Sequence, residues 1–283
     1  MRIAATADLH YGMRPAWDAA VRELARRIVD RSPDVILVAG DVAIAHPGEV
    51  IECLSLFSDS SARKLVVPGN HDIWTSLAGE GADSLTIYEE IFPKSAALAG
   101  FHTLDRSPVV VDAVGFAGSI GWYDYGFADV ALDVPREAYA AKYLPGIGMW
   151  NDGRFVQWRH DDLSFTRTVV DRLKDHLSVV REQASCIVVL THHLAFEQLV
   201  VRRAHRGWEF HNAFMGTPRL GRLLLEEPKV RLTICGHSHH ERRVQVGHME
   251  AVNIGSTYTR KRFLLFEVDG RGVQSVESEE VKA

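Results

Sequence analysis

Five short polar clusters interrupt an otherwise apolar-rich chain: Asp8-Leu9-His10, Gly40-Asp41, Gly69-Asn70-His71-Asp72, Thr191-His192-His193 and Gly236-His237-Ser238-His239. Aspartate, asparagine and histidine are cation-holding side chains. A mixed imidazole and carboxylate set favours Mn, Fe, Zn or Ni over Ca or purely structural Mg. In extended chain, residues i and i+2 point to the same side, so Asp8 with His10, and His237 with His239, would each offer a paired bite. Glycines at 40, 69 and 236 permit tight turns and close backbone approach. Asp8, His10, Asp41, Asn70, His192, His237 and His239 make seven candidate ligands. One ion with an open position needs about three or four, so the set points to two divalent ions. Two dications against two carboxylates leave positive character, which attracts and polarises an anion, phosphate being the commonest candidate.

Each cluster follows a predicted strand. RIAATA (2–7), DVILVAG (34–40), KLVVP (64–68), SCIVVL (185–190) and VRLTIC (230–235) are short apolar runs of buried-strand type. Between the first strands, residues 17–30 carry Ala20, Val21, Leu24, Ala25, Ile28 and Val29 at helical spacing, and 48–58 reads as a second helix. This βαβαβ rhythm implies parallel strands with helical crossovers. In such sheets ligands bind where loops converge at the C-terminal strand edge, so five distant clusters can share one site. Residues 108–120 read as a hairpin, 161–182 as the longest helix and 217–227 as another. From 242 onward, short strands separated by turn residues read as antiparallel. The fold class is mixed α/β, with helices outside the sheets.

Two stretches fit neither rhythm. Residues 121–160 carry Trp122, Tyr123, Tyr125, Phe127, Tyr139, Tyr143, Trp150, Phe155 and Trp158, and residues 195–216 carry Arg202, Arg203, His205, Arg206, Trp208, Phe210 and His211. Both are too long for simple connections and are read as lid insertions on a single domain spanning 1–283. The aromatics are read as packing a cap, with nucleobase stacking as the alternative. The arginine run is either a solvated loop or a clamp for a second phosphate.

Composition narrows the partners. At 283 residues, 46% hydrophobic and 24% charged, the chain can bury a sizeable core and is neither disordered nor fibrous. No run approaches the roughly 20 apolar residues of a membrane span. The opening MRIAATADLH reaches acidic and histidine residues too early for a signal peptide. A formal net charge of -5 argues against a stable nucleic-acid complex. Cys53, Cys186 and Cys235 show no CxxC spacing and read as buried free thiols, so a cytoplasmic location is expected.

In order, D-x-H, GD, GNHD, H and GHxH resemble the calcineurin-like metallophosphoesterase superfamily, over residues 1 to about 260 apart from the two aromatic stretches. The resemblance implies a four-layer αββα sandwich with a dinuclear metal site at the C-terminal strand edges. It implies Asp8, His10, Asp41 and His239 on one metal, with Asp41 bridging to a second that also takes Asn70, His192 and His237. It further implies in-line attack on phosphorus by a metal-bridging hydroxide. His71 would stabilise the transition state or protonate the leaving oxygen, and Asp72 would orient that imidazole.

Departures narrow the branch. Gly40-Asp41 lacks the Asp-Arg-Gly continuation of the protein serine/threonine phosphatases, and Asp72 stands where they have Glu. Val42-Ala43-Ile44 offers no tyrosine ligand of the purple acid phosphatase type. The signal peptide and second domain of secreted nucleotidases are not expected here. There remains the bacterial-type phosphodiesterase and phosphatase group. The expectation is a two-metal phosphoester hydrolase, Mn favoured, acting on a small phosphorylated molecule, nucleotides included. A phosphodiester is slightly favoured over a monoester. A polynucleotide nuclease and a non-catalytic metal-binding scaffold are the alternatives.

Overall fold

The computed structural model describes residues 1–44, 46–75 and 81–283. Strands β1 (Arg2–Thr6), β2 (Val35–Ala39), β3 (Arg63–Val67) and β4 (His102–Thr103) run parallel in one six-stranded sheet, which the long hairpin β13 (Arg260–Asp269) and β14 (Gly272–Lys282) completes beside β1. The second sheet holds β5 (Val109–Val111), β6 (Val114–Ser119), β9 (Cys186–Thr191), β10 (Val230–Cys235), β11 (Arg242–Val246) and β12 (Met249–Asn253). Within it β6, β9, β10 and β12 are mutually parallel. A two-stranded ribbon, β7 (Tyr143–Leu144) with β8 (Gly148–Met149), stands apart.

The central strands are continuous apolar runs because both of their faces are covered. Val35, Leu37 and Ala39 face Val188, Leu190, Leu232 and Ile234 in the layer between the sheets. Ile36 and Val38, the alternate residues, face outward against the helices Pro15–Asp30 and Pro47–Ser55. On the other side Ile187 and Val189 meet Leu173 and Leu177 of the helix Asp162–Arg181, and Leu220 and Leu224 of the helix Pro218–Glu226. The layers are therefore helix, sheet, sheet, helix. Truncating an inter-sheet residue such as the fully buried Phe116 to alanine would cost about 3–5 kcal/mol.

Local chemistry fixes where the helices start. Asp161 accepts from the Ser164 N–H at 2.8 Å, and Thr217 Oγ1 accepts from the Arg219 N–H at 3.1 Å. One reading is corrected. The C-terminal tail is not wholly antiparallel, since β12 lies parallel to β10. The short β4 and the helical stretch Ser84–Leu98, interrupted by a π-turn, carry little periodicity and escape the sequence pattern. The two aromatic stretches are not separate features. Trp122, Tyr123 and Tyr139 of one join Phe210 and Phe214 of the other in a single buried cluster with Tyr88 and Phe165. Packing, not exposed stacking, accounts for these rings. Among the described residues no helix is long and apolar enough to cross a membrane.

Candidate metal centre

The C-terminal ends of β1, β2, β3, β9 and β10 converge, and the five polar clusters meet there. Backbone hydrogen bonds lace the loops together: Asp8 N–H to the Gly40 carbonyl (3.0 Å), His10 N–H to the Asp41 carbonyl (2.9 Å) and Gly236 N–H to the His192 carbonyl (3.2 Å). Asp8 Oδ1 accepts from the His237 N–H at 2.9 Å, and Asp41 Oδ1 from the His71 N–H at 3.0 Å. Gly69 is required by crowding, because a Cβ there would sit 2.2 Å from Asp41 Oδ1.

The paired-bite expectation fails in its geometry. Asp8 (φ 54°), His10 (46°), Asp41 (52°), His237 (70°) and His239 (58°) all adopt left-handed backbone, not extended chain. The chain must leave each strand in a tight turn to reach its neighbour's loop. It is these turns, not strand pleating, that aim the side chains inward. Strained dihedrals of this kind cluster at functional sites.

The donors form two lobes that share Asp41. In the first, ligand atoms of Asp8, His10, Asp41 and His239 all lie within 4.8 Å of one another. His10 Nε2 is 3.3 Å from His239 Nε2 and 3.7 Å from Asp41 Oδ2. In the second, His192 Nε2 lies 3.0 Å from Asn70 Oδ1, 3.1 Å from His237 Nδ1 and 3.3 Å from Asp41 Oδ1. His237 Nδ1 is 3.1 Å from Asn70 Oδ1.

The second lobe shows that a cation fits. His192 Nδ1 donates to the Ala39 carbonyl at 2.9 Å, which leaves Nε2 a bare lone pair. His237 Nε2 donates to the Phe214 carbonyl at 3.1 Å, which leaves Nδ1 bare. Two imidazole lone pairs, an amide oxygen and a carboxylate oxygen thus face one another. Burial pulls His192 and His239 down to about 3 and holds His10, His71 and His237 well below their ordinary value, so all five rings are neutral. Such a cluster of acceptors repels itself unless a cation sits among them. In the first lobe, Asp8 Oδ2 and His10 Nδ1 are buried without a partner among the described residues. Burial raises Asp8 to about 7, and it raises Asp41 strongly, with Asp72 and Asp8 adding to the effect.

His71 stands at the rim of the first lobe, its Nε2 3.9 Å from Asp41 Oδ2. Asp72 does not touch its imidazole. The Asp72 carboxylate instead accepts from the backbone N–H groups of Val42 (3.2 Å), Ala43 (3.0 Å) and Gly69 (2.8 Å). Those three donors claim its lone pairs, so it pins the loops after β2 and β3 together while His71 Nδ1 has no partner among the described residues. What backs His71 is the Trp74 indole, stacked on it and on Phe155 beyond.

Three residues of the site escape the sequence reading. Lys261, fully buried on β13, donates from Nζ to the Asp8 carbonyl at 2.8 Å, and burial lowers it to about 8. Tyr258 lies against His10 and His239, with ring centroids 4.7 and 5.1 Å apart. Asp152, buried in the aromatic segment, accepts from Asn70 Nδ2 (2.9 Å), Trp74 Nε1 (2.7 Å), Trp150 Nε1 (2.7 Å) and the Tyr123 hydroxyl (3.0 Å). A lysine in a strand and an aspartate opening the short helix Asp152–Phe155 carry no local signal of such roles. Of the arginine run, Arg202 is paired with Glu197 and Glu209, and Arg203 lies over the Trp208 ring. His46 caps the helix Pro47–Ser55 by accepting from the Gly48 N–H.

Comparison with known proteins adds the family. A family model described as calcineurin-like phosphoesterase matches residues 1–241. No curated protein sequence matches the chain significantly. Among solved structures, the phosphopantetheinyl hydrolase of Mycobacterium tuberculosis aligns with TM-score 0.69 at 18% identity, covering 89% of this chain and 88% of that one. A dimetal phosphatase from Danio rerio aligns with TM-score 0.55 at 12% identity, covering 100% and 98%. A 5′-nucleotidase precursor of Thermus thermophilus aligns with TM-score 0.51 at 13% identity, covering 100% of this chain but 54% of that one. At these identities the likeness is one of fold.

Proposed function

Because this chain belongs to the calcineurin-like phosphoesterase family and is a metal-dependent phosphoester hydrolase, we infer that its substrate is a small phosphodiester, a nucleotide-type diester among the candidates, cleaved in line at the two-lobed centre. The observation that carries this reading is the second lobe's four converging acceptors beside a first lobe that shares Asp41. Asp8, His10, Asp41 and His239 would hold one ion, and Asp41, Asn70, His192 and His237 the other. Divalent ions there, manganese favoured, would polarise a phosphoryl oxygen and make water nucleophilic near neutral pH.

This chain's own residues supply the rest. Neutral imidazoles and one amide make up most of the donor set, so only Asp8 and Asp41 offset the ions' charge and an anionic ester is drawn in. His71, with a neutral ring at the rim, is placed to hydrogen-bond the phosphoryl group or pass a proton to the leaving oxygen. Trp74 holds that ring in position, and Asp72 holds the loops that carry it and Asp41. The aromatic segments beside the site, packed on His237 through Trp150 and Phe214, would select the leaving group. The phosphopantetheinyl hydrolase of similar fold suggests one class of ester to try. Three buried free cysteines fit a reducing, cytoplasmic setting.

The test is hydrolysis of bis-p-nitrophenyl phosphate beside p-nitrophenyl phosphate, on metal-stripped protein reloaded with Mn²⁺. Metal-dependent preference for the diester is expected. Preference for the monoester would move the assignment to phosphatase, and no turnover of either with two ions bound would favour a non-catalytic scaffold.

A further inference from the structure

Asp152 comes from the aromatic segment and not from a strand end, yet it reaches the heart of the site. Its carboxylate oxygens divide four neutral donors evenly: Oδ1 takes Asn70 Nδ2 and Trp74 Nε1, and Oδ2 takes Trp150 Nε1 and the Tyr123 hydroxyl. The residue is buried, so these bonds are shielded from competing water.

Asn70 is the one candidate ligand that could enter the lobe in two ways. Rotating its amide by 180° exchanges oxygen and nitrogen with almost no change of shape. Oxygen inward offers a lone pair to a cation; nitrogen inward presents two N–H groups that repel one. A carboxylate only accepts, so the group facing Asp152 must be the amide nitrogen. We propose that Asp152 is a positioning residue that locks the Asn70 amide with its oxygen toward His192 and His237, an inference that rests on the two-ion reading above. The same Oδ1 holds the Trp74 indole that backs His71, so one atom sets both a donor of the second lobe and the platform of the rim imidazole.

The experiment is calorimetric titration of Mn²⁺ into the metal-stripped full chain. Wild type is compared with Asp152→Leu, which keeps the volume and removes both acceptors, and with Tyr123→Phe, which removes one donor from the far oxygen only. Tyr123→Phe is expected to take two ions with the same pair of affinities as wild type. Asp152→Leu is expected to keep one ion at its wild-type affinity and bind the other, that of the Asn70 lobe, 10–100-fold more weakly, the usual cost of losing a group that orients a ligand. Wild-type affinity for both ions in Asp152→Leu overturns the inference. Parallel weakening of both ions overturns it too, since that is what a merely structural carboxylate would produce. If Asp152→Leu does not fold, Asp152→Asn serves: its amide can face Asn70 with either end, so second-ion affinity should fall about 3-fold or more, and an unchanged value overturns the inference. Wild type that takes fewer than two ions overturns the two-ion reading itself.

Discussion

The His71 imidazole lies flat on the Trp74 indole, with ring centroids 3.7 Å apart and planes 25° from parallel. Trp74 is in turn anchored by its N–H to Asp152 and stacked on Phe155 at 4.6 Å. The imidazole therefore takes its orientation from a π-face and not from a carboxylate, while its Nε2 faces the site beside Asp41 Oδ2.

His71→Asn should keep both ions and lose most turnover, about 10²–10⁴-fold, the range of a general acid. The assay needs an ester with a poor leaving group, because an activated one requires no proton. Undiminished turnover of such an ester would remove His71 from the reaction. Trp74→Leu should give a smaller loss, carried by kcat and not by metal content.

Asp41→Asn should lose metal and activity together. One oxygen of Asp41 faces each lobe, Oδ1 toward His192 and Oδ2 toward His10, and an amide can offer an oxygen to only one of them. Elemental analysis checks this; two ions retained per chain would contradict the shared position.

Asp72→Ala should destabilise the fold more than it alters the chemistry of any protein that remains folded. It strips three buried N–H groups of their acceptor, each worth roughly 1–3 kcal/mol when left unsatisfied. A melting temperature lower by about 6 °C or more is expected from a total of about 3 kcal/mol or above. A melting temperature within a degree of wild type would show that those loops hold together without it.

Loading Mn²⁺ at pH 6 should release protons, and they should come from carboxylates. In the metal-free protein burial raises Asp8 to about 7, so it is protonated at pH 6 and must ionise to bind, and burial raises Asp41 in the same direction. The imidazoles, pulled far below their ordinary value, have no proton to give. A raised carboxylate opposes metal below its folded-state pKa and ceases to oppose it above, so Asp8 makes affinity climb as pH rises through about 7. Titration in buffers of different ionisation enthalpy measures the release; none at pH 6 would refute the assignment.

Much of this was legible in residue types. DVILVAG, CIVVL and RLTIC read as buried strands because no charged residue interrupts their apolar centres, and polar clusters at their C-terminal ends had no core to join. The seven donors could be named because Asp, Asn and His are costly to bury without a cation. The conformations that aim them could not, since left-handed turns at Asp8 or His237 leave no periodic mark. Asp152 was invisible for another reason. Its partners Asn70 and Trp74 lie 82 and 78 residues away in the chain, and only the fold brings them together. The role expected of Asp72 came from the family resemblance, but neighbours in sequence share a backbone and need not share a hydrogen bond.

The left-handed backbone at Asp8, His10, Asp41, His237 and His239 sets stability against activity. A side chain in that region costs roughly 1–3 kcal/mol, whereas glycine adopts it freely. Replacing His10 or His239 by glycine would relieve both the dihedral and the desolvated imidazole, whereas glycine at Asp8 or Asp41 would orphan the His237 or His71 N–H. Variants of this protein selected for heat resistance alone should therefore drift toward glycine at His10 and His239 and shed catalysis first. Only selection for the reaction itself keeps histidine at those two turns.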